Sequence, residues 1–233
     1  MSEPKRIRIA VDGPGSSGKG TVARAVARAL GYAYVDTGAM YRAVALFALR
    51  REVDWDDGPA LAKLAASLRF DFRWDGDVLR VFVDGTEVTR DLRRDAMSTG
   101  ASRVSRHPEV RAALLDLQRK LAAQGGVVMD GRDIGTVVLP DAELKVYLDA
   151  DLEERARRRH EELVRRGEAV SYTRVREALA ARDRRDQERA VAPLRPADDA
   201  VRLDTTAMTI PAAVQAVLEL VDQRLHGEQP GSG

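Results

Sequence analysis

Two hydrophobic periods divide the chain. Ile7 to Val11 is β-branched and turns continuously apolar before meeting Asp12-Gly13-Pro14-Gly15, which predicts a strand ending in a loop. From Lys19 the period changes: Val22, Val26 and Leu30 recur at helical spacing with alanine between them, and Gly31 stands where a helix C-terminus would be capped. Tyr32 to Val35 then reads as a second strand, followed by Asp36-Thr37-Gly38 and another helix. Strand, glycine loop, helix, strand is the alternation that builds a parallel sheet with crossover helices, so the predicted class is α/β. Between Arg69 and Val88 the pattern becomes short alternating runs broken by Asp75-Gly76 and Asp84-Gly85, dipeptides suited to hairpin turns. A helix restarts at Pro108 with Val110, Leu114, Leu117 and Leu121 and stops at Gly125-Gly126. Val127 to Met129, Leu144 to Leu148 and Val201 to Leu203 are further strands suited to a buried parallel sheet, with two long charged helices between the last two and a helix at the end. The expected organisation is a core over residues 1–68 and 101–227, an antiparallel insert over 69–100, and a tail, 228–233, without fixed structure.

Length and composition narrow the class. At 233 residues the chain is long enough for one domain with an insertion, at roughly 150 residues per domain. Apolar residues are 44% and charged residues 32%, which excludes collagenous and low-complexity chains. There is no cysteine, so thiol nucleophiles, disulfides and cysteine metal sites are excluded. Apolar stretches such as Ala43 to Leu49 are far too short to span a bilayer, and Met1 to Arg8 has no signal-peptide core; the expectation is a cytoplasmic protein without membrane partners. A net charge of +1 gives no overall bias toward nucleic acid, so any functional positive charge must be local.

Local charge and glycine meet in one loop. Gly13, Gly18 and Lys19 supply the frame G-x-x-x-x-G-K, in which backbone N–H groups wrap phosphate oxygens and a lysine adds a point charge at a helix N-terminus. Gly13, Pro14, Gly15, Ser16, Ser17, Gly18, Lys19, Gly20 and Thr21 are therefore the candidate triphosphate-binding residues of a P-loop fold. Gly13, Gly15 and Gly18 also satisfy G-x-G-x-x-G, with Asp36 where a dinucleotide fold would bind ribose. Against an NAD-binding oxidoreductase stand Lys19 directly after the last glycine and the lack of length for a second catalytic domain. Gly20 occupies the position of the usual Mg²⁺-holding serine or threonine, with Thr21 one residue late. The metal would then be held mainly by ATP oxygens and water, and Asp130, at the end of the Val127 to Met129 strand, is either the group that orients those waters or a turn residue before Gly131.

A GTPase would need an Asn-Lys-x-Asp guanine reader, and the chain contains no asparagine. Gly18-Lys19-Gly20-Thr21 with Asp36-Thr37-Gly38-Ala39-Met40-Tyr41-Arg42 is similar to nucleoside monophosphate kinases. Asp130-Gly131-Arg132-Asp133-Ile134-Gly135-Thr136-Val137-Val138 and Arg189-Ala190-Val191-Ala192-Pro193-Leu194 resemble bacterial cytidylate kinases, over a span from Arg6 to Leu225. The resemblance implies a monomer that uses ATP and Mg²⁺ to phosphorylate CMP or dCMP, with the insert binding the acceptor and a short helical lid at about 153–172. It implies that Lys19 follows the migrating phosphoryl group, and that Thr37, Tyr41, Arg42 and Arg132 grip the acceptor phosphate. Asp133 and Arg111 would read the cytosine amino donor and ring acceptors, with a hydroxyl contact from Ser102. Arg182 and Asp186 would approach the ribose and Arg189 the base or phosphate; Arg155 would lie near adenine and Arg159 near the ATP phosphates, with Arg132, Arg159 and Arg182 joining Lys19 as catalytic groups. Structural alternatives exist for several: helix packing for Tyr41, a helix cap for Thr37, and an ion-pair ladder for Arg182, Asp186 and Arg189, whose spacing places them on one helix face. A phosphate monoester is largely dianionic near neutral pH, so no general base is required, and His107, His160 and His226 read as structural. The competing activities are a kinase for another acceptor such as UMP and a noncatalytic nucleotide-sensing or RNA-binding module.

Overall fold

The computed structural model describes residues 6–75 and 78–226; the expected tail at 228–233 and the centre of the Asp75-Gly76 turn lie outside them. In chain order the elements are β1 (Arg8–Asp12), α1 (Lys19–Leu30), β2 (Ala33–Asp36), α2 (Thr37–Arg50), α3 (Gly58–Ser67), β3 (Phe70–Asp75), β4 (Val78–Val83), β5 (Thr86–Glu87), α4 (Asp95–Val104) and α5 (Pro108–Ala122). They continue with β6 (Val127–Gly131), β7 (Leu144–Asp149), α6 (Leu152–Arg165), α7 (Tyr172–Glu188), β8 (Val201–Asp204) and α8 (Ile210–His226). None of these helices is long and apolar enough to cross a membrane.

The chain divides into two compact units, with the division inside β2. The first comprises the chain up to Tyr34, Ala122–Glu188 and the residues from Ala192 onward. Its five-stranded sheet has the order β2-β6-β1-β7-β8, with β1 parallel to both β6 and β7, and β7 parallel to β8. Central strands buried on both faces need continuous apolar runs, and β6 is buried at every position. In the register of β1 and β6, Asp12 lies opposite Gly131, so the loops that follow both strands leave the sheet side by side. Ligands of open α/β sheets bind at such carboxyl ends.

Helix α1 presents Val22, Ala23, Val26 and Ala27 to the core, and its C-terminal cap is the expected Gly31, whose N–H returns to the last carbonyls. Helices α6 and α7 pack on each other through Ala156, Leu163, Val175 and Leu179.

The second unit, Val35–Leu121 with Arg189–Val191, has its own core built around α2, where Met40, Val44 and Ala48 are fully enclosed with Leu61, Val83, Val104 and Leu114. Its antiparallel sheet β3-β4-β5 matches the alternating pattern, and Asp84 and Gly85 both take positive φ in the β4–β5 turn. Helices α3 and α4 carry weaker signals. The α3 helix is ten residues long with Asp57 as cap and proline in its first turn, while α4 has Ser98, Thr99 and Gly100 inside it. Packing overrides that poor propensity: a Cβ on Gly100 would come within 2.7 Å of Ala45 and Trp55 side chains.

Candidate functional site

The glycine loop runs from the end of β1 into α1, where the residue types expected to hold phosphate have definite structural tasks. A side chain at Gly13 is impossible, because a Cβ there would lie 2.0 Å from the Leu148 carbonyl oxygen of the neighbouring strand. Gly18 precedes α1 in the left-handed region at φ 89°, and Ser16 also holds a positive φ of 61°, a strained conformation for a residue with a Cβ. Three carbonyls of the loop are tied to protein donors. Lys19 Nζ donates to Pro14 O at 3.1 Å, Arg155 Nη1 to Gly15 O at 3.1 Å, and Thr205 Oγ1 to Ser17 O at 3.1 Å, with Arg158 Nη1 on the same Ser17 oxygen at 3.4 Å. In a trans peptide the N–H points opposite to the C=O, so these bonds turn the N–H groups of Gly15, Ser16 and Gly18 the other way. The Ser17 hydroxyl oxygen is buried with no hydrogen-bond partner among the described residues, which suits an incoming phosphate oxygen.

Gly20 borders the candidate metal residue. A Cβ there would lie 3.4 Å from the Tyr34 hydroxyl and 3.5 Å from Asp130 Oδ2, and the Tyr34 hydroxyl donates to Asp130 Oδ1 at 2.8 Å. Among the described residues no group of three or more histidines or carboxylates could hold a metal ion. One buried carboxylate, Asp130, beside the glycine loop fits a Mg²⁺ that would be kept mainly by nucleotide oxygens and waters.

Arg132, Arg182 and Asp186 come together at the same loop. A Cβ on Gly15 would be 3.8 Å from Arg132 Nη2 and 3.9 Å from Arg182 Cδ. Asp186 accepts from Arg132 Nε at 3.1 Å and lies 3.8 Å from Arg182 Nε, so one carboxylate, only 5% exposed, hydrogen-bonds one guanidinium and stands within ion-pair range of a second. Arg189 lies beyond the end of α7 at Glu188, so the single helix face expected for Arg182, Asp186 and Arg189 holds for the first two only. After α7 the chain folds back, and the Asp186 carbonyl accepts from Leu194 N at 2.7 Å.

Asp133 follows β6 and is buried. Its carbonyl accepts from Val137 N and Val138 N, forming one wide turn over Ile134–Val138, and its carboxylate makes no cap to that turn. Beneath it lies Asp12, which sequence reasoning treated only as the end of a strand. Oδ1 of Asp12 accepts from Ile134 N at 2.8 Å and Oδ2 from Gly135 N at 2.7 Å. Burial pushes the Asp12 carboxyl up to about 7; the two N–H bonds and Lys19 oppose this, and the Asp133 charge adds to it.

On α6 the arginines separate by role. Arg155 is buried, donating to Asp183 Oδ2 at 2.6 Å and to Ala150 O at 2.8 Å besides Gly15 O, so its guanidinium braces the loop from the protein side. Arg158 spans Glu154, Thr205 O and Ser17 O. Arg159 pairs with Glu162 at 2.7 Å. Arg157 forms an exposed ladder with Glu154 and Glu161, and its hydrogen bond foremost, then the hydrogen bond and charge of Arg158, draws the Glu154 carboxyl down to about 2. Arg158 is not marked by sequence because nothing in a run of arginines shows which one faces a particular carbonyl, and Thr205 and Asp183 are not marked because their partners lie far away in the chain.

The acceptor candidates of the second unit form their own cluster. Asp36, not Thr37, caps α2, accepting from Ala39 N at 2.8 Å, and it also holds Arg42 at 2.7 Å. Thr37 is therefore relieved of the capping alternative and stands buried as the first residue of the helix. Arg111, also buried, lies over the Tyr41 ring at 5.5 Å and donates to Ser105 O at 3.3 Å. Ser102 is buried one turn away, and its carbonyl accepts from Ser105 Oγ.

Comparison with known proteins extends this geometry. Residues 9–223 match the family model described as cytidylate kinase. A protein named cytidylate kinase from an Exiguobacterium species is 51% identical over 219 residues, covering 94% of this chain and 98% of that protein. One of the same name from Exiguobacterium sibiricum is 49% identical, covering 95% and 99%. Another from Bacillus subtilis is 46% identical over 220 residues, covering 94% and 98%.

Proposed function

The chain belongs to the cytidylate kinase family, and from that premise we propose that it transfers the γ-phosphoryl group of ATP to CMP or dCMP, giving ADP and CDP or dCDP. Placement of Arg132 and Arg182 beside Gly15 of the lysine-bearing loop supports this assignment: two guanidiniums, paired with one buried aspartate, adjoin a phosphate-type backbone loop. An acceptor phosphate oxygen forms the new bond to the γ-phosphorus while the bond to the β–γ bridging oxygen breaks and ADP departs with that electron pair. No proton need be removed, since the acceptor is already dianionic. The protein's task is to hold two polyanions in line and cancel their repulsion.

Backbone N–H groups of the Gly13–Thr21 loop, those of Gly15, Ser16 and Gly18 among them, hold the donor phosphates, and Lys19, now on Pro14 O, moves onto the transferring group. Arg132 and Arg182 neutralise the phosphates on the acceptor side, and Asp186 keeps their forks aligned. Thr37, Tyr41, Arg42 and Arg132 take the acceptor phosphate; Asp133, Arg111 and Ser102 read cytosine; Arg182 and Asp186 adjoin the ribose, with Arg189 near base or phosphate. Arg159 closes over the ATP phosphates from the lid at 153–172 and keeps water from the phosphoryl group. When bound, Mg²⁺ would supply charge neutralisation on the donor phosphates, and Asp130 would orient its waters. Arg155, with three protein acceptors, acts on the loop that holds ATP. The protein is proposed to work as a cytoplasmic monomer on free nucleotides.

A coupled assay of ADP release over CMP, dCMP, UMP, AMP and GMP tests the assignment. Turnover is expected with CMP and dCMP well above UMP and the purine monophosphates. Absence of ADP formation with CMP, or equal turnover with CMP and UMP, would defeat it.

A further inference from the structure

Asp12 has no direct part in the roles above, yet two of the proposed functional segments meet on its carboxylate. It is the last residue of β1 and stands immediately ahead of Gly13. The β1–β6 ladder ends at the pair Asp12 and Gly131. Beyond that point the strands stop pairing through their backbones, and the Asp12 side chain takes over: its two oxygens accept from the consecutive N–H groups of Ile134 and Gly135 at 2.8 and 2.7 Å. Two short bonds from one planar carboxylate fix both the position and the tilt of the peptide planes they hold. The first of those planes is the Asp133–Ile134 peptide, so the Cα of Asp133 and the direction of its side chain are set from Asp12.

Fit on the far side is close. A Cβ on Gly135 would stand 3.4 Å from Asp12 Oδ2 and 3.1 Å from Lys145 Cδ, so the carboxylate is seated against a bare glycine. A buried, ionisable group is an expensive way to end a strand, because desolvation of the carboxylate and the charge of Asp133 both oppose it. Packing alone would be served by a neutral side chain.

We propose that Asp12 is a positioning residue that sets Asp133, with Arg132 before it, against the phosphate-binding loop, so that selection of CMP over UMP passes through its carboxylate. This rests on the assignment of Asp133 as a cytosine-reading group. Asp12→Asn keeps the shape but turns one acceptor into a donor facing an N–H, loosening one of the two peptide planes. Asp12→Ser is the smaller neutral alternative.

The experiment measures kcat and KM for CMP and UMP, together with the Kd for ADP by equilibrium dialysis, in the wild type, both Asp12 variants, Asp133→Ala and the Asp12→Asn/Asp133→Ala double variant. Folding of each is checked by near-ultraviolet circular dichroism. With one hydrogen bond to a charged group lost, the CMP-to-UMP ratio of kcat/KM is expected to fall about tenfold in Asp12→Asn, carried by KM for CMP. The Kd for ADP is expected to change less than about threefold, and adding Asp12→Asn to Asp133→Ala to reduce selectivity no further. Unchanged selectivity in a folded Asp12 variant, additive losses in the double variant, or loss of fold in both Asp12 variants would each overturn the proposal. A wild type or Asp133→Ala result showing that Asp133 does not favour CMP defeats instead the underlying assignment of that residue.

Discussion

Replacing Arg155 with methionine removes a guanidinium that serves three buried acceptors at once. Its partner Asp183 accepts at 2.6 Å, the side chains being 8% and 12% exposed, and the carbonyls of Gly15 and Ala150 accept at 3.1 and 2.8 Å. Desolvation is nearly complete at this pair, so surface-pair magnitudes do not apply. Removing one member strands the Asp183 carboxylate, whose Oδ1 already has no hydrogen-bond partner among the described residues. Breaking a buried pair in this way costs about 3–5 kcal/mol. At roughly 2–4 °C per kcal/mol for a chain of this size, the melting temperature is expected to fall on the order of 10 °C.

A second consequence follows from the bond to Gly15 O. Losing that donor frees the Gly15–Ser16 peptide to rotate, so ATP affinity is expected to fall alongside stability. The double variant Arg155→Met/Asp183→Leu removes the stranded charge and is expected to recover most of the stability while ATP binding stays impaired. Urea denaturation followed by circular dichroism, with direct titration of ATP, separates the two effects. If Arg155→Met shifted stability by less than about 1 kcal/mol, or if the double variant were no more stable than the single one, the bracing role of Arg155 would be refuted.

Three further predictions address other residues. The Asp12 carboxyl is raised from 3.8 to about 7 chiefly by burial, with Asp133 and Lys19 the charged groups acting on it and Tyr147 coupled to it in turn. The folded state therefore keeps a proton the unfolded state has released, and stability should fall as pH rises from about 4 to about 7 by roughly 4 kcal/mol, then level off. Denaturation midpoints across that window should slope less in Asp12→Asn; identical slopes would contradict the burial argument. Arg159→Ala is expected to lower turnover with a smaller effect on CMP affinity, since it removes the lid guanidinium that pairs with the partly exposed Glu162; loss of CMP binding at unchanged kcat would exclude the lid role. Gly13→Ala must displace either the loop or β7, because its Cβ would meet Leu148 O at 2.0 Å, so expression as a folded protein with unaltered ATP affinity would be incompatible with the described loop.

The parts legible from the chain are those whose chemistry is local. A strand running into Gly13–Lys19 and a helix capped by Gly31 announce themselves by period and residue type, and the structure has both. The Asp84-Gly85 hairpin turn is visible for the same reason, since few other pairs accept two successive positive φ values. Helix α4 was hidden because Ser98, Thr99 and Gly100 are poor helix formers that only tertiary packing makes acceptable. At the site, sequence spacing correctly places Arg182 and Asp186 together but extends the face one residue too far, to Arg189, because no glycine or capping residue near Glu188 marks where α7 ends.

Asp12, Arg155 and Arg158 were the least legible, and for one physical reason. Each acts on backbone groups far away in the chain, and a backbone N–H or carbonyl carries no residue-type signature. The Asp12 bonds reach 122 and 123 positions along the chain, and the bond from Arg155 to Gly15 reaches 140. A phosphate-binding loop depends on such distant partners because its own residues are chosen for small size and unusual φ, which leaves them few side-chain groups with which to hold their own shape. The glycine motif thus marks where an anion can sit, whereas the rigidity that would make binding selective is supplied by Asp12 under the Asp133 turn and by Arg155, Arg158 and Thr205 on the loop carbonyls. Variants of this second set should consequently alter how tightly and how selectively nucleotides are held while leaving the motif itself untouched.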